Sequence, residues 1–278
     1  MKKVLVLALL ISANFQIFAV KDSDGYELLE CKLMPIVRNS QRKDSRRHGS
    51  HPHLGIKEIT ESSTNWSGYV TATNLKNPAK NSVSEIYGTW NVPTLSPTPD
   101  HSYCSVWVGI DGFASSSVEQ LGTECDWVNG KQVNYAWYEM YPDYSYSITN
   151  FPVKAGDSIT ASVVYKGNNV FVLSIANNTK KVRSVIPTKY TTSTTAQRVC
   201  AEWVVEAPYM NSILPLAHFS PITFTKCTAK INGVSNAINK VANTQNTALN
   251  MISNTGLKAI TSSLLKNGQS FEVTWRGE

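Results

Sequence analysis

Charge is scarce in this chain of 278 residues: Asp, Glu, Lys and Arg together make up 17%, where an ordinary soluble domain carries about a quarter. The short signatures of several hydrolytic chemistries are missing. No Gly-x-Ser-x-Gly turn presents a serine nucleophile, and no strand–helix alternation exists to carry one. No His-Glu-x-x-His holds a metal ion. Asp-Thr-Gly and Asp-Ser-Gly are absent, and Asp111-Gly112-Phe113 does not replace them. The five cysteines contain no Cys-x-x-Cys, so neither a zinc knuckle nor a thioredoxin-type motif is indicated. Of five histidines, His48, His51 and His53 share one short stretch, leaving His101 and His218. Without a placed imidazole, serine and cysteine mechanisms lack their base. The apolar stretch near the N-terminus is too short and too interrupted to read as a membrane span.

What is there falls into three regions. Lys2 and Lys3 precede the apolar run Val4 to Ile11, and Ala19 offers a cleavage position. Residues 1–19 therefore read as a secretory signal, and the mature protein is expected outside the cell with no stable membrane association. Residues 20–60 are polar, basic and without apolar periodicity, as in a linker or pro-segment. Between Lys32 and Lys57 stand seven Lys or Arg against the single Asp44, so the formal net charge of +6 belongs to this segment. The remainder has no basic helix, which argues against nucleic acid as a partner. Residues 61–278 form the expected domain. Export favours disulfides among Cys104, Cys125, Cys200 and Cys227, with all three pairings open.

From about Thr64 short alternating runs appear, broken by Gly, Pro, Asn or Asp. They predict strands over Trp66–Ala72, Val83–Val92, Ser105–Asp111, Val118–Gly122, Val133–Met140, Ser158–Lys166 and Asn169–Ala176. Further strands are expected over Ala201–Glu206, Ala217–Phe224, Lys226–Asn232, Ala248–Ile252 and Ser270–Arg276, with a short helix conceivable over Ile238–Thr247. Lys166-Gly167-Asn168 reads as a hairpin turn. The fold class is all-β, a two-sheet antiparallel sandwich or a barrel.

Residues two apart on a strand share a face. Val106, Val108 and Ile110 thus oppose Trp107, Gly109 and Asp111. Ala136, Tyr138 and Met140 oppose Tyr135, Trp137, Glu139 and Tyr141. Ala201, Trp203 and Val205 oppose Glu202, Val204 and Glu206, and Gln120 shares a face with Val118 and Gly122. Aromatic rings mixed with carboxylates on one face suggest a groove that grips a polymer. Paired carboxylates there would serve glycoside or peptide hydrolysis.

Seven runs narrow this choice. Asn65-Trp66-Ser67-Gly68-Tyr69-Val70, Gly88-Thr89-Trp90-Asn91-Val92-Pro93 and Ser105-Val106-Trp107-Val108-Gly109-Ile110-Asp111-Gly112 resemble, in order, motifs of the eqolisin glutamic peptidases. So do Val118-Glu119-Gln120-Leu121-Gly122, Ala136-Trp137-Tyr138-Glu139-Met140-Tyr141-Pro142, Ala201-Glu202-Trp203-Val204-Val205-Glu206 and the closing Ser270 to Trp275. The resemblance implies a concanavalin-like sandwich and a catalytic pair of Gln120 and Glu206 on its concave sheet. It implies polypeptide substrates, with Trp66, Trp107, Asp111, Trp137, Glu139 and Tyr141 shaping the groove. No metal or other cofactor is implied, and a monomer is expected. The segment 20–60 would make the precursor a zymogen, with Arg42 to His53 as an intramolecular inhibitor. Two rival readings are a glycoside hydrolase using Glu202 and Glu206, and a carbohydrate-binding module using Trp107 and Trp137. The first is strained, since residues four apart on a strand lie about 13 Å apart, beyond the usual carboxylate separation of about 5–9.5 Å.

Overall fold

The computed structural model describes residues 20–36 and 60–277. The expected secretory signal and the basic stretch Arg42 to His53 lie outside the described residues.

Every regular element among the described residues is a strand. The first five are β1 (Glu27–Leu28), β2 (Leu33–Pro35), β3 (Thr60–Ser63), β4 (Trp66–Ala72) and β5 (Val83–Asn91). Next come β6 (Ser102–Ile110), β7 (Val118–Val128), β8 (Lys131–Tyr141), β9 (Ser145–Ile148) and β10 (Ser158–Gly167). Then follow β11 (Val170–Asn177), β12 (Val182–Lys189), β13 (Cys200–Glu206), β14 (Tyr209–Met210) and β15 (Ser212–Ile213). The chain closes with β16 (Ile222–Ile231), β17 (Val234–Ala237), β18 (Gln245–Ser253), β19 (Gly256–Thr261) and β20 (Phe271–Trp275).

One layer runs β18–β4–β13–β6–β7–β8–β9, antiparallel throughout. The other runs β12–β11–β10–β5–β16–β20. The two layers join at one side through β19, which pairs with both β18 and β20. Between them lies the main core. Val106, Val108, Ile110, Leu121 and Trp203 from the first layer meet Ile86, Trp90, Ile159, Val163, Phe171 and Leu173 from the second. Each such side chain contributes about 1.5–3 kcal/mol when fully buried.

The opposite face of the first layer is not a wet surface. Trp66, Val70, Trp107, Val118, Trp137 and Val204 form a second buried cluster there. The central strands are therefore apolar on both sides, and their carboxylates and amides are set into that apolar ground.

Turns fix the register. Asn129 and Gly130, both with positive φ (53° and 70°), make the two-residue loop between β7 and β8. This is the primed turn whose twist matches antiparallel strands. It pairs Val128 with Lys131 and, counting back, Gln120 with Glu139. The hairpin read at Gly167-Asn168 is present, with Asn168 and Asn169 at positive φ between β10 and β11.

Several elements depart from the sequence reading. Residues 238–244 form turns rather than a helix, leading straight into β18. The two strands expected across 217–232 are one, β16, whose register shifts between Thr225 and Thr228 around Lys226 at φ 53°. That bulge is what the alternation read as a break. β12 went unread because Pro187 interrupts it; β12 pairs with β11 on one side and with β1 only at Val182 and Arg183, so the missing N–H at 187 costs no ladder bond. Residues 20–36, expected to lack structure, add β1 parallel to β12 and β2 antiparallel to β9. The five cysteines are free thiols, so the expected disulfides are not formed, although Cys104 and Cys125 stand directly opposite each other across β6 and β7.

Because Gly130 sits at φ 70°, Gly130→Val should destabilise the protein by about 1–2 kcal/mol, while Gly130→Asn should cost far less. Urea unfolding midpoints would test this, and equal midpoints for the two variants would contradict it.

Candidate active site

The registers place the polar side chains of the second face in rows. The first row across the sheet is Trp66, Glu206, Ser105, Glu124 and Tyr135. The next is Gly68, Val204, Trp107, Gly122 and Trp137. The third is Val70, Glu202, Gly109, Gln120 and Glu139. Gln120 and Glu206 therefore share one face, on strands separated by β6, in alternate rows. Trp107 occupies the middle row of the middle strand, diagonally between them.

Two hydrogen-bonded frames hold the pair. Trp107 Nε1 donates to Glu206 Oε2 at 2.9 Å, and Asn65 Nδ2 donates to Oε1 at 3.3 Å. The indole is itself braced by Trp66, edge to face at 5.1 Å. Its plane needs room, which two glycines supply. A Cβ on Gly122 would stand 2.1 Å from the carbonyl oxygen of Val106 and 2.6 Å from Trp107 Cβ. A Cβ on Gly109 would stand 3.1 Å from both Gln120 Cβ and Trp107 Cζ3. In the second frame Gln120 Nε2 donates to Glu139 Oε2 at 2.6 Å. The amide nitrogen thus faces Glu139, and Gln120 Oε1 points the other way.

Burial is deep but uneven. Trp107 is fully buried, Gln120 and Glu139 are nearly so, and Glu206 keeps some exposure. Among the described residues, Gln120 Oε1, Ser105 Oγ and Trp137 Nε1 are buried with no hydrogen-bond partner. Native structures leave few such atoms, and three on one face mark a place for a polar ligand. Ser105, Glu124, Trp137 and Glu206 line one common pocket with Ser145 and Pro208.

The remaining expected groove residues divide. Trp66, Trp107, Trp137 and Glu139 lie in the framework just described. Tyr141 shares their face but stands beyond Glu139, opposite Val118. Asp111 departs from expectation. It is fully buried at positive φ (70°), and its oxygens accept the amides of Arg198 at 2.6 Å and Val199 at 2.7 Å. Rather than lining the groove, it ties the end of β6 to the start of β13. Burial pushes its pKa up, partly offset by those two amides. Glu202, the partner needed for glycoside hydrolysis, is fully buried and takes the amide of Phe113 and the thiol of Cys200 on Oε1. Asn65, Ser105 and Glu124 were missed as site residues. Glu124 was findable: it follows Gln120 by four residues on the same strand, which runs on to Val128.

Known proteins match this architecture. The crystal structure of scytalido-glutamic peptidase with a transition-state analogue inhibitor superposes with a TM-score of 0.65 at 23% identity, covering 77% of this chain and 98% of that one. Scytalidopepsin B of Scytalidium lignicola is 28% identical over 252 residues, 86% of this chain and 88% of its own. Aspergillopepsin-2 of Aspergillus niger is 27% identical over 235 residues, 71% of this chain and 78% of its own. Together with the fold, these relatives define the class as a glutamic-type peptide hydrolase. The model of the peptidase A4 family matches residues 64–275, and the chain belongs to that family, the eqolisins.

The raised pKa of Asp111 has a consequence for stability. The folded chain holds this proton more tightly than the unfolded chain. The contribution is therefore fully present below the ordinary carboxylate value of about 3.9 and is lost as pH rises through the raised value. Asp111→Asn cannot titrate. The wild-type minus variant difference in unfolding free energy should be more favourable near pH 3 than near pH 6. A difference that grows toward pH 6 would contradict the shift.

Proposed function

We propose that this chain is a secreted, acid-acting endopeptidase in which Glu206 and Gln120 form the catalytic pair. Glu206 takes a proton from a water that attacks the scissile carbonyl carbon, then delivers a proton to the leaving amine as the C–N bond breaks. Gln120 keeps one N–H on Glu139 and offers the other to the developing oxyanion. It donates without titrating, and one such donor is worth about 3 kcal/mol in the transition state. The observation that carries this reading is the pair of frames. The carboxylate is held by Trp107 and Asn65, the amide is aimed by Glu139, and both sit on one largely dry face.

Acid action follows from using a carboxylate base, whose ordinary pKa lies near 4. Export rests on the basic and apolar N-terminal pattern. Polypeptide is the expected substrate, and the segment 20–60 is the expected pro-segment, inhibitory in the precursor. The glycoside hydrolase reading loses ground because Glu202 is enclosed and engaged with Phe113 and Cys200.

Gln120→Ala should lower kcat on casein by roughly a hundred- to a thousandfold, and Glu206→Gln should reduce it to background, with both proteins folded by circular dichroism. Substantial activity in folded Glu206→Gln would remove the assignment. Trp107→Phe keeps a ring but deletes the N–H that favours ionised Glu206. The acid limb of the kcat/KM profile should move up by roughly one pH unit; an unmoved limb would mean that Glu206 is not the group titrating there.

A further inference from the structure

The described N-terminal residues reach the pocket of Glu206 at Ile36. β2 lies along the outer edge of β9, pairing Leu33 with Ile148, Met34 with Ser147 and Pro35 with Tyr146. Backbone bonds run from Thr149 N to Lys32 O at 2.8 Å and from Ile36 N to Ser145 O at 2.9 Å. The next side chain, Ile36, enters the pocket formed with Ser105, Glu124, Trp137, Ser145, Glu206 and Pro208, packing against the Trp66–Trp107–Trp137 cluster.

Three features separate this from ordinary core packing. Leu33 and Met34 are 42% and 57% exposed, and Pro35 is exposed as well. The strand thus buries little of its own apolar surface, and Ile36 is the one side chain of the four that is taken in. Its backbone is attached by strand addition to a sheet edge, the way extended peptides are commonly recognised. The pocket also suits Ile36 poorly. An aliphatic side chain sits beside two carboxylates while Ser105 Oγ and Trp137 Nε1 have no hydrogen-bond partner among the described residues, a cost that a peptide backbone reaching further in would relieve.

We infer that the β9 edge and the Glu206 pocket are one docking site for an extended peptide with an aliphatic side chain at the pocket position, and that residues 33–36 of this chain fill it as a displaceable internal occupant. The inference rests on reading the Glu206 pocket as the substrate site. It differs from inhibition by the basic stretch, because the blocking contact is apolar and lies N-terminal to that stretch. Substrate enters when β2 leaves β9.

The test uses the full chain carrying Glu206→Gln, so that self-cleavage does not interfere, and a fluorescein-labelled peptide of residues 32–40 as the probe. Fluorescence anisotropy is read for this protein, for it with Ile36→Ala added, and for it with Met34→Ala added. Ile36→Ala should tighten probe binding at least tenfold, Met34→Ala should leave it unchanged, and a probe with alanine in place of its isoleucine should lose affinity for the Ile36→Ala protein. Equal affinity with and without Ile36→Ala, or no binding to either, overturns the inference. The two readings separate cleanly. Tighter binding in a Glu206→Gln protein that still cleaves casein would keep the internal occupant and dismiss Glu206 as the base; unchanged binding in an inactive Glu206→Gln protein would do the reverse.

Discussion

Both faces of β13, β6 and β7 are buried, and that constraint governs the rest of the molecule. On a sheet with one wet face, a register slip moves apolar groups into water. Here a one-residue slip would exchange Trp203, Val108 and Leu121 for Glu202, Trp107 and Gln120 between two dry environments of different shape. The penalty would fall on unmatched volumes and stranded carboxylates together. The alternation along each strand is therefore enforced from two sides. The Asn129-Gly130 loop adds a local check by setting the pairing that brings Gln120 opposite Glu139.

Placing acids and amides on an apolar face is expensive, and the structure offsets the cost group by group. Asp111 receives two backbone amides, Glu202 one amide and a thiol, Glu119 the hydroxyl of Tyr190, and Glu139 the amide of Gln120. Burial and the neighbouring Glu119 push the Tyr190 hydroxyl far up, so it stays a donor over any working pH. Glu206 differs in retaining exposure, held by an indole N–H and a side-chain amide that leave it reachable. A general base needs that combination of fixed orientation and access.

The N-terminal strands show how a sheet edge can serve two purposes. An open edge is a liability that invites pairing with other chains. β2 covers β9 with a short, mostly exposed strand, which protects the edge while leaving it cheap to vacate. An edge that must receive peptide cannot be closed by bulges or permanent strands, so cover by a segment of the same chain reconciles protection with access.

How much was legible in advance follows from which forces are local. Strand parity is local, so it put Gln120, Trp107, Trp137, Glu139 and Glu206 on one side of their strands, and ordered motifs across 65–275 pointed to the family that the match over 64–275 confirms. Turn chemistry is local as well, and Gly167-Asn168 was read correctly. The bulge at Lys226, the edge strand through Pro187 and the pairing of 33–35 with β9 were not legible, because each depends on which neighbour lies across a hydrogen-bonded ladder. The same holds within the site. Sequence alone determined an all-β chain with a carboxylate, an amide and three indoles at fixed parities. Only the tertiary structure decided that Asp111 and Glu202 are enclosed with their oxygens on backbone and thiol while Glu206 keeps partial exposure, and that Ile36 lies beside it. Hydrogen-bond partners and burial arise where distant strands meet, and distance along the chain does not encode that meeting.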